Sequence, residues 1–237
     1  PPLVTVLAAR YGPAPAVLST LVFLVVGTAW LLAQRATEPP ARGSAPLAGG
    51  SALRLPTMRL VMAVMAALGI AFGSIEVITV AGAGAAGHPA RAGVLLALYA
   101  GGSLVAGVVY GAKHLTVPLR RQLLVLGLLT PFSLVALPFV GSTAGTAVLI
   151  FVAGFVISPT LIAGFSLVQQ AVPADRLTEG LTWATTAIGL GVAVGAALGG
   201  RAADLVGAPR AYLVPFAAAV LVAAIVGLSA IAGRRRA

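Results

Sequence analysis

The sequence predicts an all-α integral membrane protein with seven transmembrane helices, six of which form a bundle of two inverted three-helix repeats. Three observations carry this expectation. Of 237 residues, 59% are hydrophobic and 8% charged, with a mean hydropathy of +1.06; soluble domains carry about 25% charged residues, so this chain has too little polar surface to cover a water-facing fold. The few charges bracket long uncharged runs. The chain also repeats weakly on itself. Disorder is excluded by the same apolar excess. Cys and Asn are absent, which removes disulfides, thiolate metal sites and Cys nucleophiles. The net charge of +10 comes from 14 Arg and one Lys spread thinly between apolar runs. That distribution reads as membrane topology rather than a nucleic-acid face.

A spanning helix needs about 20 mostly apolar residues. Arg10 to Arg35 encloses 24 uncharged residues, Arg91 to Lys113 encloses 21, Glu179 to Arg201 encloses 21, and Arg210 to Arg234 encloses 23. Arg59 to Arg91 encloses 31 residues interrupted only by Glu76. Arg121 to Asp175 encloses 53, and the turn signal Gly141-Ser142-Thr143-Ala144-Gly145 divides it in two. The expected spans are therefore 13–34, 60–82, 93–112, 122–140, 146–171, 179–200 and 211–233. Barrel strands are excluded, because period-2 alternation is missing and the runs are twice a strand's length. The first span is too long, and lacks the basic leader, for a signal peptide. Residues 1–10 read as the tail of a preceding helix, so the sequence is expected to be a fragment.

The connection from Arg35 to Arg59 contains Glu38-Pro39-Pro40 and Gly49-Gly50-Ser51, the composition of a flexible linker. It suggests three parts: residues 1–35 as the end of an amino-terminal bundle, 36–58 as a cytoplasmic linker, and 59–237 as a six-helix carboxyl-terminal bundle. With the linker inside, inner loops hold 11 basic residues and outer loops four. The excess places the carboxyl terminus in the cytoplasm.

Sliding the chain on itself by 88 residues aligns Gly101 with Gly189, Gly107 with Gly195, Gly111 with Gly199 and Lys113 with Arg201. A shift of three spans is odd, so the two copies would run in opposite directions across the bilayer. Inverted three-helix repeats are characteristic of secondary transporters, with the binding site near the midplane.

On these residues the chain resembles the carboxyl-terminal half of a major facilitator superfamily transporter, together with the preceding helix. Gly107-Val108-Val109-Tyr110-Gly111-Ala112-Lys113 with Arg120-Arg121 is similar to a degenerate form of that family's Gly/Asp/Arg loop motif. Gly200 to Arg210 resembles the same motif and keeps Asp204, Gly207 and Arg210. The segment Val172 to Trp183 looks like the loop and helix start of efflux-type members from high-GC bacteria. The resemblance implies a cell (inner) membrane protein, a small-molecule substrate, coupling to protons, and an amino-terminal bundle absent from this sequence as the partner. It implies no cofactor.

Candidate site residues follow from polar groups inside apolar spans. An intramembrane carboxyl defaults to function, and Glu76 shares a helical stripe with Gly69, Gly73 and Val80. The alternatives are a hydrogen bond between helices or snorkelling toward the outer surface. Thr79, Ser158, Thr160 and Thr186 join it as hydroxyls on helices that the resemblance makes cavity-lining, and Tyr99 is a candidate for stacking on substrate or anchoring at the interface. Pro159 marks a bend, either for gating or for packing. Gly191, Gly195 and Gly199 mark close helix packing. Asp175, Arg176 and Glu179 read as capping and pinning a loop.

No carboxylate pair, His cluster, nucleophile elbow or P-loop is present, so no enzymatic activity and no bound metal are expected. A seven-span receptor or scaffold is the rival, and the long linker and the three-span shift argue against it. With no Asn and only two Trp, a sugar site is poorly equipped, and a lipophilic or amphipathic substrate suits the chain better. Proton-coupled efflux is the first reading. Transport of a small polar metabolite such as a sugar is the alternative.

Overall fold

The computed structural model describes residues 13–34, 50–113 and 115–234, all helical or in turns, with no strand among them. The expected helix tail at residues 1–10, most of the 36–58 linker, and Arg235 and Arg236 lie outside the described residues. The chain divides into two units, Pro1–Gly49 and Gly50–Ala237.

The described part of the first unit is helix α1 (Pro13–Ala33), uncharged and apolar along its length. The second unit holds six helical segments long and apolar enough to cross a bilayer, the makeup of a multi-pass membrane protein. It begins with a 3-10 turn at Ala52–Arg54 capped by Ser51, followed by α2 (Pro56–Ala85) with Pro at its first position, where a missing N–H costs nothing. Then come α3 (Ala90–Ala112), α4 (Leu119–Leu134) with a 3-10 turn at Leu137–Phe139, α5 (Thr143–Gly154), α6 (Ile157–Ala171), α7 (Leu177–Val206), the single turn α8 (Ala208–Ala211), and α9 (Leu213–Arg234).

Some boundaries differ from those expected. Helices α2 and α7 are each 30 residues long, about 45 Å at 1.5 Å per residue. They run past the charges that bounded the uncharged runs, since an arginine at a helix end reaches the interface without ending the helix. The expected single span 146–171 is two helices, α5 and α6, broken at Phe155 and Val156. Pro159 explains the place. It has no N–H to give the Phe155 carbonyl, so the regular ladder resumes with Thr160 N–H donating to Val156 O at 3.2 Å.

Helix α2 is the axis of the unit. Val61, Val64, Met65, Leu68, Ile75 and Ile78 are all fully buried, and it packs against α3, α6, α7 and α9. Its tightest partner is α7. A Cβ on Gly69 or Gly73 would overlap the Ile188 or Val192 carbonyl, and a Cβ on Gly191 or Gly195 would overlap the Ala66 or Ile70 carbonyl. The two backbones touch, which is the geometry small residues permit in membranes. On the other side α3 packs on α5 through Gly102 against Phe151 and Gly154 against Tyr99, while Gly107 faces Ser158. Gly111, by contrast, meets nothing within 4 Å. Helices α4 and α9 pack together and expose Phe132, Phe139, Leu228 and Ile231, as an apolar rim facing lipid would.

Two ends of the unit are defined by contacts. At one, Glu179 at the start of α7 accepts hydrogen bonds from Ser51 Oγ at 2.5 Å and Ala52 N at 3.1 Å, and Arg120 Nη2 donates to Ser229 O at 3.3 Å. At the other, the last turns of α2, the turn at Gly141–Thr143, and Ala208–Tyr212 enclose a cavity of about 210 Å³. Gly207, with φ of +79°, turns the chain from α7 into α8 there.

Candidate functional site

The polar groups inside the bundle separate into satisfied and unsatisfied ones. Most hydroxyls bond back along their own helix, as Ser and Thr do in apolar surroundings. Ser74 donates to Ile70 O at 2.7 Å, Thr160 to Val156 O at 2.5 Å, Thr182 to Thr178 O at 2.8 Å and Thr185 to Leu181 O at 2.9 Å. Three pairs join different elements. Ser103 and Ser158 share a hydrogen bond of 2.6 Å between α3 and α6, the Tyr110 hydroxyl donates to Gln122 Oε1 between α3 and α4, and Thr79 of α2, which donates to Ile75 O, meets the hydroxyl of Tyr212, in the turn between α8 and α9, at 3.0 Å.

Glu76 behaves differently. It lies about 14 Å from the carboxyl end of α2 at 1.5 Å per residue. Its side chain is half-buried, and its carboxylate has no hydrogen-bond or ion-pair partner among the described residues. Neither a bond between helices nor a basic neighbour explains it. Helix α3 faces this part of α2 through Tyr99. Tyr99 is 3% exposed and its hydroxyl has no hydrogen-bond partner. Its ring stacks at a tilt on Phe72, with centroids 5.7 Å apart, and Phe72 is one turn before Glu76. A half-buried carboxylate and a fully buried phenol, both unpaired, therefore lie on facing helices. Burying the phenol hydroxyl without a partner costs on the order of 1–3 kcal/mol, so its retention points to a task outside the static packing.

The remaining expected site residues are dispersed. Ser158 is half-buried on its bond to Ser103, and Thr160 is fully buried, its hydroxyl taken by backbone. Thr186 is exposed on α7, next to the exposed Thr182, Trp183 and Thr185. That makes a polar stripe on a bundle surface otherwise covered by residues such as Leu190 and Val194. Asp204, Gly207 and Arg210 lie exposed around the α7–α8 turn, and Asp204 makes no ion pair among the described residues. Glu179 pins the chain at Ser51 and Ala52. Two participants escaped sequence reasoning, Ser103 and Tyr212. Ser103 follows Tyr99 by one helical turn, and that periodicity is the signal that marks it; Tyr212 had none, because its partner Thr79 is 133 residues away.

No family model, curated protein or solved structure matches this chain.

Proposed function

We propose that the chain is the carboxyl-terminal half of a secondary active transporter of the major facilitator type, which exports a lipophilic or amphipathic small molecule in exchange for protons. The observation that carries this reading is the unpaired, half-buried Glu76 carboxylate well within an apolar helix, with the unpaired Tyr99 hydroxyl on the helix it faces. A carboxyl in an apolar interior favours its neutral form, and water or a cation favours the anion. A group that alternates between those surroundings takes a proton on one side and releases it on the other. Tyr99, through its hydroxyl, offers Glu76 or the substrate a hydrogen bond.

An inverted-repeat architecture is supported by paired contacts. Gly107 approaches Ser158, and shifting the two by 88 residues in opposite directions gives Gly195 and Ile70, which also touch. Likewise Gly154 approaches Ser103, and the same exchange gives Ala66 and Gly191, again in contact. A two-fold axis relating the two halves produces such exchanged pairs, and a repeat of that kind places a site at the midplane. In this reading α1 is the seventh span and belongs to an amino-terminal bundle, residues 36–58 are the cytoplasmic linker, and the exposed Thr182–Thr186 stripe offers polar groups to substrate. In the same reading the protein sits in the cell membrane, and the basic asymmetry of the loops supports a cytoplasmic carboxyl terminus.

Glu76→Gln tests the proposal, since it keeps shape and hydrogen bonding but cannot titrate. In proteoliposomes holding the chain with its amino-terminal bundle, the variant is expected to lose proton-gradient-driven flux while folding in equal amount. Flux equal to wild type would remove Glu76 from coupling.

A further inference from the structure

At the end of the bundle that carries Ser51 and Glu179, two overlapping cavities of about 390 and 470 Å³ open between the starts of α2 and α4 and the end of α9, sharing Leu60, Arg120, Ser229 and Gly233. We infer that this cleft is a binding site for an anionic glycerophospholipid, with the headgroup phosphate held by Arg120 and Arg121 and an acyl chain lying along Leu60, Leu124 and Val226.

Charge and shape both favour this ligand. Both arginines line the cavity of about 390 Å³, Arg120 lines the other as well, and no acidic residue lines either. Arg120 is held in place by one bond to Ser229 O at 3.3 Å, and its other N–H donors have no partner among the described residues. Arg121 is exposed with no partner among those residues either. Two unneutralised guanidiniums at a membrane-facing rim make strong, bidentate-capable donors for phosphate. Behind them the wall turns apolar within one helical turn, through Leu124 on α4 and Val226 on α9. A free anion has no use for that wall, whereas a phospholipid uses both parts. Basic clefts between transmembrane helices are a recognised way of holding anionic headgroups. The inference needs a bilayer around the helices but no transport activity, so it stands apart from the role of Glu76.

The test is lipid retention by the purified chain, from mixed micelles with equal mole fractions of phosphatidylglycerol and phosphatidylcholine, read by native mass spectrometry. The wild type is expected to keep phosphatidylglycerol in preference. Arg121→Gln should lower that preference about five-fold, the effect of one basic residue near an anionic surface. Leu124→Trp, which fills the apolar wall and leaves both arginines, should lower it as well. Arg91→Gln at the opposite end should not. Equal retention of the two lipids by wild type would overturn the inference, as would wild-type preference in both cleft variants. Displacement of the lipid by millimolar inorganic phosphate would also overturn it, in favour of a small-anion site. If Arg121→Gln fails to give helical, monodisperse protein, the outcome for Leu124→Trp decides.

Discussion

Tyr99 is the residue at which stability and function are expected to part. Its hydroxyl is buried without a partner, so Tyr99→Phe removes an unsatisfied group and leaves the stacking on Phe72 in place. The variant should unfold at a temperature no lower than wild type in a thermal melt, because losing an unpaired polar atom is neutral or stabilising. Transport should fall, because substrate or Glu76 loses a donor. A drop in melting temperature with normal transport would make Tyr99 structural. Glu179 presents the converse case. It accepts from Ser51 Oγ and from the Ala52 amide, which joins the start of α7 to the turn before α2. Glu179→Gln weakens both bonds by removing the charge. Hydrogen exchange at the Ala52 amide should accelerate, with exchange in α9 unchanged.

At the scale of elements, the contact of α2 with α7 is the part most sensitive to substitution. Gly195→Ala places a methyl against the Ile70 carbonyl. Two helices must then separate along their length, and overpacking of this kind costs about 1–3 kcal/mol. On the same helix Gly189 has nothing within 4 Å of an added Cβ. Gly189→Ala should be neutral or stabilising, by up to about 1 kcal/mol from helix propensity. Chemical unfolding of the two variants in detergent measures the contrast directly, and equal effects would mean that the backbones do not touch. The Gly-x-x-x-Gly spacing of α7 was legible in the chain. Which glycines of α3 matter was not. Gly107 and Gly111 share that spacing, yet only Gly107 meets a neighbour, and Gly102 does more of the packing. Spacing marks a smooth face, but the crossing angle of the partner helix decides how far along it the contact runs.

For the whole molecule, the testable quantity is sidedness. Thr116 lies in the connection between α3 and α4, at the end shared by Ser51 and Glu179, and Ala86 lies at the opposite end; both are exposed. Since native Cys is absent, single Cys substitutions label cleanly. An impermeant maleimide added to intact cells should modify Ala86→Cys and leave Thr116→Cys untouched until the membrane is opened. The reverse pattern would invert the topology.

Hydropathy and charge in the chain specify that it is helical and where the basic ends of its apolar segments lie; of the seven spans expected, the six from α2 to α9 are long and apolar enough to cross a bilayer, while α1 is a shorter apolar helix among the described residues. These are properties of each segment against its solvent, and in lipid the backbone must satisfy itself within the helix. Even the break before Pro159 is local, because the missing N–H belongs to the residue itself. What the sequence left open are relations between segments. Glu76 was legible as a carboxyl within an apolar run, but whether another helix supplied it a partner depended on how the helices pack on α2. Thr79 and Thr186 look alike in the chain. One is buried on Tyr212 and the other is exposed on the bundle surface. The cleft at Arg120 and Arg121 has no local signature either, since Leu60, Leu124 and Val226 come from three helices. Partners this far apart in sequence meet only when the helices pack, so burial, pairing and cavities were decided by the tertiary structure.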